Sequence, residues 1–385
     1  MATLSDGHDP ALLADLRERV ARRGPLTFAA FMEHVLYAPD SGYYMVRARE
    51  PGREGDFFTS VSVGRCFGDL LAEHLAATWS RLGEPAPWDV VELGAGEGRL
   101  LADLAGRLRE MKSRTIVREG LHWGAVEVSD VARKRLARRC ASLHPPVEVH
   151  SAARLMELPQ TGASAYVFAN ELVDALPVHL VIRQGQEWRE LYVTAADSGP
   201  GFAWLSGKLS SPEVAQEVAR IPAQRYPEGY RTEVRPAARL WLHEVARWMK
   251  SGVLLILDYG LSAGDFYDPG RTRGTLQCRH GHVRHDDPLI RAGRQDITAH
   301  VDFTALAAAA EECGFQVRCS ESQEHFLIGL ARARLLAWEA GGGEPAPGRE
   351  KWLRQFQQLT HPGLMGRTFH IMELELLAAS AASIT

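Results

Sequence analysis

Gly94, Gly96 and Gly98 alternate with Ala95 and Glu97 in the segment VVELGAGEGRLLADL (90–104), between an apolar run and an amphipathic one. Glycine permits tight turns and lets a backbone come close to a ligand. A helix starting just after such a loop adds unpaired N–H groups and positive potential. The dinucleotide fingerprint G-x-G-x-x-G would need a third glycine where Arg99 stands, and a P-loop would need a Lys-Ser/Thr pair after its last glycine. Neither is present. A second acid, Glu127 in WGAVEVS, closes the next apolar run. A carboxylate there can accept two hydrogen bonds from a ribose diol.

A second group of candidates follows the run AYVFAN: Asn170, Glu171 and Asp174 in NELVDALP. Carboxylates at that place can orient a guanidinium or an ammonium, and the planar fork of arginine pairs with them best. The plainer alternative is that Glu171 and Asp174 cap a following helix. Asp258 and Tyr259 end the run LLILDYG, and Asp296, His300 and Asp302 lie in QDITAHVDF. These could line the acceptor side of a cleft. For Asp258 the alternative is a structural hydrogen bond, and for Asp302 a helix cap. Cys278, His280, His282 and His285 carry ligand types that suit zinc, but their spacing fits no standard zinc arrangement, so no metal is expected. No G-x-S-x-G elbow is present, which removes the common hydrolase reading.

The elements that must position these residues follow from hydrophobic periodicity. Helices are expected at 11–23 and 27–36, and again at 66–82, where Phe67, Leu70, Leu71, Leu75 and Trp79 share one face. From Asp89 onward strands and helices alternate: strands at 89–93, 122–128, 147–150 and 165–169, helices at 100–111 and 130–139. That alternation predicts an α/β fold with a parallel sheet covered on both faces. Residues 181–235 look like a β-rich insertion. A helix at 237–249 and a strand at 253–258 resume the pattern, followed by a long polar loop at 262–303, a helix at 304–313 and a strand at 315–320. Residues 336–385 look helical, and Trp241 and Trp248 are expected in the core. The predicted units are thus 1–84, 85–180, 181–235, 236–335 and 336–385.

Composition sets bounds on function. The chain has 385 residues, 45% hydrophobic and 24% charged, which suits a globular protein. Its 44 basic and 48 acidic residues leave a net charge of −4, so no coating of nucleic acid or of an anionic membrane by bulk charge is expected. The five cysteines do not resemble a secreted disulfide framework. The N-terminus lacks the look of a signal or transit peptide, and Val253–Leu257 is far too short to span a bilayer. A soluble cytoplasmic protein is therefore expected, and its oligomeric state stays open.

The spacing E-x-G-x-G-x-G, starting at Glu92, resembles motif I of class I S-adenosylmethionine-dependent methyltransferases. Other segments, among them GDFFTSVSVGRCFGDL, ANELVDALPVH, GTLQCRHGHVRHDDPL and PGLMGRTFHIM, resemble, in this order, the MidA-like methyltransferases. The resemblance covers nearly the whole chain. It implies a Rossmann-like core of seven mostly parallel strands, with an N-terminal helical segment and an inserted second lobe. It also implies S-adenosylmethionine as cofactor, bound by Glu92, Gly94, Ala95, Gly96, Gly98 and Glu127. Asp56, Phe57 and Thr59 would close that pocket from the N-terminal side. Asn170, Glu171 and Asp174 would border the acceptor, with Asp258, Tyr259, His300 and Asp302 binding it. Mitochondrial members of the family methylate protein arginine and assist assembly of respiratory complex I. The acceptor implied here is an arginine of a partner protein. A small-molecule acceptor, or a cofactor-binding assembly chaperone without turnover, is the alternative. The segment SAARL lacks an Asp for the adenine amine, which leaves adenine recognition unassigned.

Overall fold

The computed structural model describes residues 7–46, 59–111, 120–161, 164–340 and 348–378. Asp56 and Phe57 lie outside them. Helices α1 (Pro10–Arg23) and α2 (Phe28–Tyr37) open the described chain. They are followed by α3 (Arg65–Arg81), α4 (Arg99–Glu110), α5 (Asp130–Ala141), α6 (Pro236–Trp248), α7 (Phe303–Glu312), α8 (Gln323–Ala340) and α9 (Arg349–Thr360). The main sheet is built from β1 (Trp88–Leu93), β2 (Leu121–Val126), β3 (Val149–Ala152), β4 (Ser164–Asn170), β5 (Gly252–Leu261), β6 (Gln316–Ser322) and β7 (Phe369–Leu376).

These seven strands lie in the order β3-β2-β1-β4-β5-β7-β6. Strands β1 to β5 are mutually parallel, and β7 runs antiparallel between β5 and β6. A short eighth strand, Val301–Asp302, pairs with the end of β5. Strand β1 is buried along its whole length, because helices cover both faces of the sheet. On one face α3, α4, α8 and α9 bury Phe67, Leu104, Phe326 and Trp352 against Trp88 and Phe168. On the other, α6 and α7 bury Leu242, Trp248 and Leu306 against Val167 and Ile256.

The α/β sheet expected from the alternation is present, with element ends moved by a few residues. Two expectations are corrected. Residues 369–376 form a strand, not a helix. FHIMELEL is buried from both sides, and such a run has the same apolar content whether coiled or extended. The long polar loop is in fact structured: Gln277–His280 pairs with Val283–His285 and with Asp296–Thr298 as a small sheet.

Helices α1 and α2 and the insertion form one lobe, while α3 belongs to the main core. Strand Leu26–Thr27 pairs with Glu187–Ala195, next to His179–Gln184 and Arg231–Val234. Phe28, Phe31 and Leu36 of α2 pack on Leu180, Leu191 and Val193 of that sheet. This lobe therefore brings the end of α2 over the carboxyl ends of the main strands. Strand β1 has β2 on one side and β4 on the other, and ligands of open α/β sheets sit where the strand order reverses in this way. The glycine loop after β1 and the NELVDALP turn after β4 are thus neighbours.

Candidate active site

A cavity of about 540 Å³ opens at the carboxyl ends of β1, β2, β4 and β5. One end is lined by Gly94, Ala95, Gly96, Glu127 and Val128, with Ala153, Arg154 and Leu155 beside them. The other is lined by Asn170, Glu171, Asp174, Tyr37, Tyr44 and Tyr259, with Gln277, Arg279, Thr298 and His300 beyond.

The glycines have distinct reasons for being glycine. All three hold positive φ, at 70°, 51° and 69° for Gly94, Gly96 and Gly98. A Cβ at Gly98 would come within 2.6 Å of Leu136, so that residue lets α4 pack on α5. At Gly94 a Cβ would touch Leu172 at 3.0 Å, which sets the distance between the loop and the turn after β4. At Gly96 a Cβ would meet nothing within 4 Å. Gly96 is the glycine whose open side faces cavity space.

Glu127 sits across from it. One carboxylate oxygen accepts the Gly96 N–H at 2.9 Å, and the other accepts the Ser129 N–H at 2.8 Å. Burial raises its pKa, while the two amides draw it back toward ionisation. Glu92 is used differently: its Oε2 accepts the Leu101 N–H at 3.1 Å, capping α4 from inside.

At the acidic end the turn after β4 is held from three sides. Asp258 Oδ2 accepts the N–H groups of Leu172, Val173 and Asp174 at 3.2, 2.8 and 3.2 Å. Arg235 donates to the carbonyls of Asp174, Ala299 and His300. Glu171 itself adopts φ 52°, a strained conformation for a side-chain-bearing residue, and its N–H donates to the Leu257 carbonyl at 2.9 Å. The strain turns its carboxylate toward the cavity, where Oε1 accepts from Asn170 Nδ2 at 3.2 Å and from the Ser60 N–H at 3.3 Å.

Burial dominates the charges here. It pushes Glu171 up to about 8, aided by the nearby Asp174 carboxylate. It raises Asp174 to about 6, against the pull of Arg235. Asp296, behind Tyr44, is raised to about 7 and accepts the Tyr44 hydroxyl at 2.5 Å. His300 goes the other way: burial and surrounding arginines push it down to about 4, so its ring is neutral. Gln277 bonds its Nε2 at 3.0 Å.

With this geometry in view, comparisons with known proteins are decisive. Residues 70–320 match the family described as S-adenosyl-L-methionine-dependent methyltransferase. The chain belongs to this family. It is similar to the mitochondrial protein arginine methyltransferase NDUFAF7 homolog of Drosophila melanogaster, at 30% identity over 96% of this chain and 85% of that one. The human mitochondrial NDUFAF7 protein arginine methyltransferase matches at 28% identity, over 96% of this chain and 86% of that one. A crystal structure of a COG1565 superfamily member from Burkholderia thailandensis bound to S-adenosyl-homocysteine superposes with a TM-score of 0.82, at 30% identity, covering 96% of this chain and 93% of that chain.

The protein is thus an S-adenosylmethionine-dependent methyltransferase with the class I fold. The cytoplasmic expectation is corrected by the curated relatives, which are mitochondrial. No described helix is long and apolar enough to cross a membrane.

The cavity suits the cofactor of this methyltransferase family. The open side of Gly96 leaves room for a ligand against the loop backbone, and each Glu127 oxygen, already holding one backbone amide, keeps a lone pair that a diol hydroxyl could use. Apolar Val128, Ala132 and Leu155 line the cavity beside Glu127, near the segment where the sequence leaves adenine recognition unassigned. Ala132 and Leu155 carry no polar atom in their side chains, so no motif signals them.

The other site expectations divide. Asn170, Glu171, Asp174, Tyr259, Thr59 and His300 all reach the cavity. No helix follows Glu171, so the capping alternative for it falls. Thr59 caps the short helix Ser60–Val63 while lining the cavity. Asp258 does not reach it: fully buried, it spends its oxygens on backbone amides, Tyr259 N–H included. Asp302 caps α7 through Thr304 and Ala305 and lines a neighbouring cavity instead. Glu92 touches the cavity wall, but its hydrogen bond goes to α4. Trp241, expected in the core, is only half-buried and lines the cavity from the core's edge. Cys278 is buried in the apolar core of the lobe, with His285 opposite it in the ladder and His280 and His282 further along the hairpin. Sequence reasoning missed Tyr37, Tyr44 and Arg279. Tyr44 stood in view in SGYYMV, but a lone aromatic carries no signal of which face it will present.

Proposed function

We propose that this enzyme methylates a guanidinium nitrogen of an arginine in a partner protein. The observation that carries the reading is the pairing of Glu171 and Asp174 with the rings of Tyr37, Tyr44 and Tyr259 at one end of the cofactor cavity. Carboxylates and aromatic faces together attract a planar cation. The naming of the curated relatives as protein arginine methyltransferases supports it.

In this reading Glu127 holds the ribose, and the backbone from Gly94 to Gly96 lies along the amino-acid part of the cofactor. The bound cofactor supplies the electrophilic methyl group. The chain supplies position and charge. Glu171 and Asp174 fix the guanidinium plane and take the proton that the nitrogen sheds as it gains a carbon. The raised pKa of Glu171 suits a group that must hold that proton near neutral pH. The buried wall keeps water away from the reacting atoms.

Incubating the purified protein with a matched-organelle or bacterial extract and methyl-labelled S-adenosylmethionine tests the reading. Label released as methylarginine on acid hydrolysis supports it. Label found only on small molecules, or on another side chain, refutes it.

A further inference from the structure

Strand Gln277–His280 alternates its side chains, as strands do. Cys278 is fully buried in the lobe core, so Gln277 and Arg279 face the opposite side, where both line the cavity. In the antiparallel ladder Arg279 stands opposite Asp296, and Gln277 opposite Thr298. Cross-strand partners share a face, so an acid and a base meet there. The Arg279 charge also acts on Glu171 and Asp174, favouring their ionised forms, and on Tyr259. A guanidinium of this chain therefore already lies among the groups assigned above to the guanidinium of the acceptor.

We infer that Arg279 is a resident occupant of the acceptor subsite, which an incoming arginine must displace. The inference rests on the arginine reading above and adds how the subsite is filled before the acceptor arrives. Two guanidinium groups cannot share so small a buried acidic site without repelling each other. The carrier of Arg279 suits exchange. Its strand turns back through Gly281 and His282, both at positive φ, into Val283–His285, and Val283 at the tip is 62% exposed.

The test is calorimetric titration of arginine amide into the wild type and into Arg279→Met, each saturated with S-adenosyl-homocysteine. If Arg279 fills the subsite nine-tenths of the time, the wild-type affinity is reduced about tenfold. Arg279→Met, which keeps the length of the stem without the charge, is expected to bind about tenfold more tightly. Arg279→Gln serves as the second variant, and either one folded by its melting curve decides the matter. Equal or weaker binding than wild type overturns the inference and makes Arg279 a binder of acceptor or cofactor instead. The two readings fail separately. Methylarginine produced by the wild type, with no gain in affinity in the variants, removes only the occupancy. Label on another residue type removes the arginine reading itself.

Discussion

Glu127 ties the glycine loop to the end of β2: its carboxylate accepts the backbone N–H of Gly96 at 2.9 Å. A nucleoside diol entering there would donate to the lone pairs that the amides leave open. Hydrogen bonds to a charged group are worth about 1.5–3 kcal/mol each. Glu127→Ala is therefore expected to weaken S-adenosyl-homocysteine binding by about ten- to a hundredfold in calorimetry. Unchanged affinity would remove Glu127 from the site.

The two glycines flanking Glu97 should separate packing from binding. Alanine at either meets left-handed strain of about 1–2 kcal/mol. At Gly98 it also meets Leu136 at 2.6 Å, and overpacking of that kind costs about 1–3 kcal/mol more. Gly98→Ala should melt clearly below Gly96→Ala. Gly96→Val, by contrast, should fold yet lose S-adenosyl-homocysteine, since the added atoms enter the cavity. Equal melting temperatures for the two alanine variants would contradict the assignment.

Buried acids at the acceptor end set the sign of a pH effect. Glu171, Asp296 and Asp174 have folded pKa values raised to about 8, 7 and 6. A raised acid stabilises the fold below its unfolded pKa of about 4, and that contribution is lost as pH climbs through the folded value. The melting temperature of the ligand-free enzyme should fall between about pH 5 and 8, and Glu171→Gln should flatten the upper part of that fall. The kcat/KM for acceptor should rise over the same range, since only ionised carboxylates can take up the guanidinium and its proton. A flat stability profile would contradict the burial of these charges.

Two acids placed by sequence on the acceptor side should behave as structural groups. Asp302→Ala removes a helix cap, at a cost of about 1 kcal/mol, and should leave S-adenosyl-homocysteine affinity intact. Asp258→Ala leaves the amides of Leu172, Val173 and Asp174 without their acceptor. At about 1–3 kcal/mol per buried orphan, it should lower the melting temperature far more. The reverse order would restore Asp258 to the site.

Much of this was legible in the residues. The E-x-G-x-G-x-G loop lay between a run that reads as a buried strand and a run with helical period, and Glu127 ended the next strand; both ended at the cavity. What hid was long-range. β7 enters the sheet from the far C-terminus, and nothing local in FHIMELEL says which strands will flank it. Asp258 and Asp302 had the right chemistry for a site, but whether an acid faces a cavity or a backbone amide is set by the turn packed on it. Arg279 was hidden by a strand of four residues whose alternation became readable only once Cys278 was seen to be buried.

The most direct measurement is a crystal structure of the enzyme with S-adenosyl-homocysteine. The ribose hydroxyls are predicted within hydrogen-bond reach of Glu127, with the amino-acid tail along Gly94–Gly96 and the sulfur turned toward Glu171. A nucleoside bound elsewhere, or a ribose out of hydrogen-bond reach of the Glu127 carboxylate, would contradict the account.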